Sequence, residues 1–204
     1  MLLIVNKRLS VVLLLCGDKY IEKVLCEQNF GLLVVIFLLF LWKLLILLLM
    51  NINVEERVER ARGYFLEGYN CAQAVVMAFD DVMAMSPESL AKLAAPFGGG
   101  MGRMREVCGT VSGMAMVAGA IQPSADPKNL EERKLNYALV QTFADSFRKE
   151  NGDIVCRRLL GLEPVVERAE TPMPSERTQE YYRKRPCVEY VACAARIVAE
   201  YLAK

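Results

Sequence analysis

The pattern of apolar positions divides the chain near residue 50. From Gly31 to Met50 every residue is apolar except Lys43. A helix of about twenty residues is about 30 Å long, which is enough to cross the hydrocarbon core of a bilayer. The pattern predicts a hydrophobic N-terminal segment over residues 1–50, which is either a single transmembrane helix or a stretch upstream of a true start at Met50.

These two interpretations place the protein differently. If residues 1–49 are translated, we expect a membrane-anchored protein. If translation begins at Met50, where Met-Asn-Ile-Asn-Val-Glu-Glu-Arg opens an ordinary amphipathic helix, we expect a cytoplasmic protein without a membrane segment. Basic residues flank the apolar run on both sides, so the distribution of positive charge does not set an orientation.

Residues 51–204 show helical periodicity nearly throughout and no useful run of strand alternation. In the first helix, Val54, Val58, Ala61 and Phe65 share one face. Further helices are predicted from Cys71, where Asn70 can cap the helix start, to about Met85, from Pro87 to about Ala95, from about Glu106 to Ile121, from Asp126 to Asn151, around Cys156, and from Pro186 onward. We therefore predict an all-α domain over residues 51–204, a compact bundle of about six to seven helices.

Three segments of the predicted bundle have distinctive compositions. Residues 98–102 are glycine-rich and predict a tight turn. Gly109 and Gly113, in the helix that follows, would allow neighbouring helices to approach closely. Residues 163–180 contain three prolines among charged residues and predict an exposed connection.

The long helix after Asp126 has an apolar stripe of Leu130, Leu135, Ala138, Leu139, Thr142, Phe143 and Phe147.

Composition excludes several classes of function. The chain has 25 Lys+Arg against 24 Asp+Glu, a net charge of +1, so we expect no nucleic-acid partner. Histidine is absent, which excludes Ser-His-Asp and Cys-His catalysis and every metal site that needs a histidine ligand. The reactive side chains that remain are the seven cysteines.

Three of the cysteines lie at predicted helix starts. These are Cys71, Cys108 and Cys187, while Cys156 lies inside its short helix. Unpaired N–H groups at a helix start can lower a thiol pKa from about 8.5 to about 3.5–7.5. The resulting thiolates would be nucleophiles or metal ligands; the alternative for each is a small buried hydrophobe, which we expect for Cys193.

A metal site is the alternative use of the same four side chains. Cys71, Cys108, Cys156 and Cys187 would make a complete ligand set for zinc or an iron–sulfur cluster. The long intervals between them contain no C-x₂-C, the local spacing that makes a metal motif specific. The metal interpretation therefore depends on the tertiary structure.

The glycine-rich turn is followed by two basic residues. Backbone N–H groups at such a turn can bind an anion, although a role in close packing is favoured here. If an anion binds there, Arg103 and Arg105 would also help to hold Cys108 as a thiolate.

Together these segments resemble a known family. They are Asn70-Cys71-Ala72-Gln73-Ala74, Phe97-Gly98-Gly99-Gly100-Met101-Gly102-Arg103, Val107-Cys108-Gly109-Thr110-Val111-Ser112-Gly113, Cys156 and Cys187. In this order they resemble the C_GCAxxG_C_C family of redox-active four-cysteine proteins, over about residues 51–202. Thr110 replaces the usual alanine of the central motif. The resemblance implies a redox role for the four cysteines, with a transporter component or an oxidoreductase as a partner.

The sequence thus predicts a helical thiol–disulfide protein, with a possible oxidoreductase activity, in which the four cysteines form one cluster. Cys108 is the expected nucleophile, another of the four is the resolving thiol, and helix ends with Arg103 or Arg105 supply the activation. The alternative is a Cys₄ zinc or iron–sulfur protein without turnover. A third possibility is a helical partner module for a transporter, in which the cysteines serve only as core.

Overall fold

The computed structural model describes residues 52–162 and 171–204, together with Leu39. Residues 52–204 belong to one compact unit. The described part of this unit forms nine α-helices, α1 (Val54–Leu66), α2 (Cys71–Met77), α3 (Asp80–Met83), α4 (Pro87–Ala94), α5 (Gly109–Ile121), α6 (Leu130–Asn151), α7 (Cys156–Leu159), α8 (Gln179–Lys184) and α9 (Cys187–Leu202). It contains no strand, so the predicted all-α class is confirmed, with more and shorter helices than the six or seven expected.

The predicted membrane span lies outside this description. Apart from Leu39, the segment from Gly31 to Met50 is not among the described residues. Within the part that is described, we find no helix with the length and apolar character needed to span a membrane.

The core forms where α1, α2, α5 and α9 meet. Helix α9 packs along α1, and α5 packs against α2. The predicted face of α1 is buried at Val58, Ala61 and Phe65. Gly113 lies at the crossing of α2 and α5, where a Cβ atom would come within 2.8 Å of the Val75 Cβ. The predicted close approach of helices at Gly113 is therefore confirmed.

Asparagine side chains begin two of these helices. The Asn53 side chain accepts a hydrogen bond from the Glu56 backbone at the start of α1. At the start of α2, Asn70 accepts from the backbone of Gln73, whose side chain accepts from the Asn70 backbone in return. This reciprocal pair satisfies N–H groups that the helix itself leaves unpaired, and it confirms the predicted role of Asn70.

The prediction of one helix from Cys71 to about Met85 is wrong. Helix α2 ends at Met77, and α3 follows after Ala78 and Phe79. The Arg57 guanidinium donates to the Ala78 carbonyl at 2.7 Å, and the Phe79 ring is fully buried. These tertiary contacts compete with continuation of the helix, and residue periodicity does not report them.

Two other helices begin later than predicted. Helix α5 starts at Gly109 rather than near Glu106, because Val107 pairs with another segment. Helix α6 starts at Leu130 rather than Asp126, because Asp126 closes a local turn and the Asn129 side chain caps the helix. Leu130 and Leu135, at the beginning of the predicted stripe of α6, are exposed.

The last two residues of the predicted connection, 163–180, belong to a helix. Residues 163–170 are not described, and residues 171–178 are not helical. Helix α8 then begins at Gln179, where the Thr178 side chain accepts from the Tyr181 backbone at 3.1 Å. A Glu180–Lys184 ion pair lies along this short helix.

Candidate functional site

The tertiary structure brings four thiols to one cavity. Cys71, Cys108, Cys156 and Cys187 all line a cavity of about 330 Å³, and each is a free thiol. Cys193 is not among the lining residues, and its sulfur accepts a hydrogen bond from the Asn151 amide at 3.3 Å. The four cysteines therefore lie around one cavity, as the sequence analysis predicted, and Cys193 lies apart from them.

A short backbone pairing positions two of these cysteines. An isolated antiparallel bridge joins Val107 to Val155, the residues directly before Cys108 and Cys156. The backbone N–H of Cys108 donates across the bridge at 2.8 Å, and that of Cys156 donates in the opposite direction at 2.7 Å. Because both thiols follow the same bridge, the starts of α5 and α7 lie side by side.

The glycine-rich turn closes around the same cysteines. Gly100 has a φ of +72°, and a Cβ atom there would lie 2.7 Å from the Cys156 Cβ. At Gly109 a Cβ atom would lie 2.9 Å from the Phe97 carbonyl oxygen and 3.2 Å from the Cys71 Cβ. The predicted tight turn is confirmed, and its glycines allow the backbone to reach the cysteine-bearing helix ends.

Three of the four helix starts that carry cavity cysteines lack a side-chain cap. Helices α1, α2, α4, α6 and α8 each begin with a side-chain cap hydrogen bond, and α2 is the one that carries Cys71. Helices α5, α7 and α9 have none, and neither has the short α3. The starts of α5, α7 and α9 carry Cys108, Cys156 and Cys187. At the start of the 16-residue α9, the unpaired N–H groups and the positive end of the helix dipole favour a negative charge.

Cys71 and Cys187 each have the largest effect on the pKa of the other. A hydrogen bond from Cys71 lowers the pKa of Cys187 to about 7 even though burial opposes the change, and Arg185, Arg177 and Arg105 lower it further. The same hydrogen bond, together with burial, raises the pKa of Cys71 well above its ordinary value. We assign the thiolate to Cys187, because it is the thiol near the arginines and at the start of a long helix.

The other two thiols favour the protonated form. Burial raises the pKa of Cys108 to about 12, although the Thr110 hydroxyl, 3.1 Å from its sulfur, opposes the change. Burial also raises the pKa of Cys156, against the effect of a hydrogen bond with Arg105. The surroundings of Cys108, the nucleophile expected from the sequence, thus disfavour its thiolate, whereas those of Cys187 favour the thiolate form.

The two predicted arginines have different surroundings. Arg105 is buried, has a φ of 61°, and lowers the pKa of Cys156 through a hydrogen bond and that of Cys187 through its charge. Arg103 lines the cavity but reaches the following segment, where its Nε donates to the Thr171 carbonyl at 2.9 Å. Arg103 thus holds residues 171–175 near the cavity.

Four further charged or aromatic lining residues were not predicted as site residues. Arg177, Tyr181, Arg185 and Tyr190 come from the end of the connection, from α8 and from the start of α9. A run of basic and aromatic residues just before and after Cys187 is the sequence signal that points to them.

Among residues 52–162 and 171–204, no three or more cysteine or carboxylate side chains are arranged to hold a metal ion.

The fold and the site together define a helical protein with four cysteines around one cavity. Residues 69–201 match the family described as "Putative redox-active protein (C_GCAxxG_C_C)". The match covers more than half of the chain, and the protein belongs to this family. No curated protein and no solved structure matches the chain.

Proposed function

We propose that this protein carries out thiol–disulfide exchange, with Cys187 as the nucleophile and Cys71 as the resolving thiol. The observation that supports this most directly is that Cys71 and Cys187 line one cavity together with two further cysteines, where each thiol shifts the pKa of the other. The lowering of the Cys187 pKa to about 7 favours its thiolate at neutral pH, and the thiolate is the attacking form.

The exchange proceeds in two displacements. The Cys187 thiolate attacks one sulfur of a substrate disulfide, the S–S bond breaks, and one half of the substrate leaves as a thiolate. Cys71 then gives up its proton and attacks the Cys187 sulfur, which forms a Cys71–Cys187 disulfide and releases the second half. Two electrons pass from the protein dithiol to the substrate. One leaving thiolate takes the proton that Cys71 gives up, and the other takes from solvent the proton that Cys187 released when it ionised.

Return to the dithiol form needs a reductant. A thiol-containing redox partner supplies two electrons by the same exchange in reverse. The membrane location and the transporter partner remain predictions from the sequence.

A single-turnover reaction with the neutral probe hydroxyethyl disulfide tests this function. We expect the reduced protein to lose two thiols, and peptide mapping to recover a Cys71–Cys187 disulfide. Cys71→Ser should accumulate a mixed disulfide on Cys187, because the thiol assigned to the second displacement is removed. Cys187→Ser should react slowly, since burial raises the pKa of each remaining cavity thiol.

Cys193→Ser is the matched control, because Cys193 lies outside the cavity, and it should react like the unmodified protein. First attack at Cys108, or equal reactivity of all the thiols, would contradict the proposal. So would a stoichiometric metal ion in anaerobically purified protein that protects the four cysteines from alkylation, which would favour the Cys₄ alternative.

A further inference from the structure

Positive charge surrounds the cysteine cavity. Arg103, Arg105, Arg177 and Arg185 line it, and no aspartate or glutamate of the described residues does. The cavity volume of about 330 Å³ is at the lower end of the range for small-molecule sites, which is about 300–1,000 Å³. Its size and charge are therefore those of a site for a small anion.

Arg177 has an incomplete set of partners. Its guanidinium lies over the rings of Phe65 and Tyr181, with centroid distances of 4.6 and 4.8 Å, and its Nη2 donates to the Tyr69 carbonyl at 3.4 Å. Its Nη1 is buried and has no hydrogen-bond partner. A buried charged donor without a partner is costly, and it suits a ligand that brings an acceptor.

Arg185 lies two residues before Cys187 and lines the same cavity. Its guanidinium lies 5.1 Å from the centroid of the Tyr181 ring, which Arg177 also contacts. Neither Arg177 nor Arg185 forms an ion pair with a carboxylate of the described residues. Both lower the pKa of Cys187, so their charge reaches the reacting sulfur.

We propose that the substrate is a small disulfide that carries an anionic group such as a carboxylate, which Arg177 and Arg185 bind while its sulfur lies against Cys187. This inference rests on the proposed thiol–disulfide function and adds the charge of the substrate. The buried Nη1 of Arg177 donates to the carboxylate. Arginine suits this task because its planar guanidinium stays charged and directs its N–H groups.

Three small disulfides that differ mainly in charge test this proposal. Dithiodiglycolate carries two carboxylates, hydroxyethyl disulfide is neutral, and cystamine carries two ammonium groups. Each single-turnover rate with the reduced protein is divided by the rate of the same disulfide with free mercaptoethanol, which removes intrinsic reactivity. We expect dithiodiglycolate to exceed hydroxyethyl disulfide roughly ten- to a hundredfold, the range of one charge-assisted hydrogen bond, and cystamine to be slowest.

Variants at the two arginines locate the effect. Arg177→Gln and Arg185→Gln should reduce the preference for dithiodiglycolate over hydroxyethyl disulfide. Arg177→Lys, which keeps the charge but not the planar group, should retain part of it. Arg148→Gln, which removes a surface arginine on α6 that pairs with Asp145, is the matched control and should leave the preference unchanged. Thermal unfolding followed by circular dichroism checks that each variant is folded.

The outcomes separate the two proposals. Equal normalised rates for the three disulfides, or a preference for cystamine, would overturn the anionic substrate while oxidation by hydroxyethyl disulfide still supported exchange at Cys187. Failure of all three to form the Cys71–Cys187 disulfide would overturn the exchange function itself.

Discussion

Two regions of this protein bury arginine side chains, and they satisfy them in opposite ways. Arg57 is 8% exposed, and its guanidinium donates to both carboxylate oxygens of Asp81 at 2.7 and 2.6 Å. Arg60 pairs with Asp80 beside it at 2.7 Å. At the cysteine cavity, by contrast, Arg177 has aromatic neighbours and a buried nitrogen without a partner.

The difference separates structural charge from charge directed at chemistry. In the first region the arginines of α1 pair with carboxylates of α3. The pairs connect the two helices, and the charges of each pair cancel. Burial alone would raise the pKa of Asp81, but the hydrogen bond and charge of Arg57, together with backbone hydrogen bonds, lower it overall. At the cavity, the described residues supply thiols instead of carboxylates, and the positive charge acts on Cys187.

The largest expected effect concerns the thiols themselves. The pKa of Cys187 is lowered to about 7 and that of Cys108 is raised to about 12, so at neutral pH Cys187 should hold by far the larger thiolate fraction. Iodoacetamide labelling with peptide mass spectrometry should show Cys187 labelling that rises with pH through about 7. Cys108 should not be labelled until strongly alkaline pH.

The two arginine regions should affect that labelling differently. Arg177→Gln should move the Cys187 profile to higher pH, because a cation that favours the thiolate is removed. Arg57→Gln should leave it in place. A profile that both variants shift equally would contradict the assignment of the charge at Arg177 to the cavity.

The next effect is on stability. Arg57→Met should lower the free energy of unfolding by about 1.5–3 kcal/mol, the value of hydrogen bonds to a charged group. Arg177→Met loses stacking worth about 0.5–1 kcal/mol but removes a buried donor without a partner, which costs about 1–3 kcal/mol. We therefore expect its stability to be unchanged or higher in urea unfolding. Equal destabilisation by the two variants would show that Arg177 is also a structural arginine.

The smallest effect is expected at a surface pair. Arg62 donates to both carboxylate oxygens of Glu189 at 2.7 and 2.8 Å, but the Glu189 side chain is 66% exposed. Arg62→Gln should change the free energy of unfolding by less than about 1 kcal/mol, and added salt should reduce the difference further. It should leave Cys187 labelling unchanged. A loss as large as that of Arg57→Met would show that exposure does not separate these pairs.

Local features of the fold were predictable because they depend on neighbouring residues. Asn70 caps α2 as expected, since an asparagine before an apolar helix supplies the acceptor that the first N–H groups lack. Gly113 was identified by its small size, and the structure places Val75 against it. The break after Met77 was not predictable, because Arg57, twenty-one residues from Ala78, takes that carbonyl.

The candidate site was predictable in its sulfurs and not in its electrostatics. The order of Cys71, Cys108, Cys156 and Cys187 along the chain marked the four thiols. Their ranking depended on burial and on distant cations, so the expected nucleophile, Cys108, has one of the least favourable surroundings.

The amino-acid sequence alone determined the helical class, the cap at Asn70 and the glycine turn, because periodicity, capping and side-chain size act over a few residues, and the family resemblance implied which four cysteines belong together. The tertiary structure decided which thiol bears the negative charge and which arginines surround it. Those properties depend on the dielectric environment and on distances between residues far apart in the chain. They exist only after α9, the residues before it and the bridge from Val107 to Val155 close the cavity.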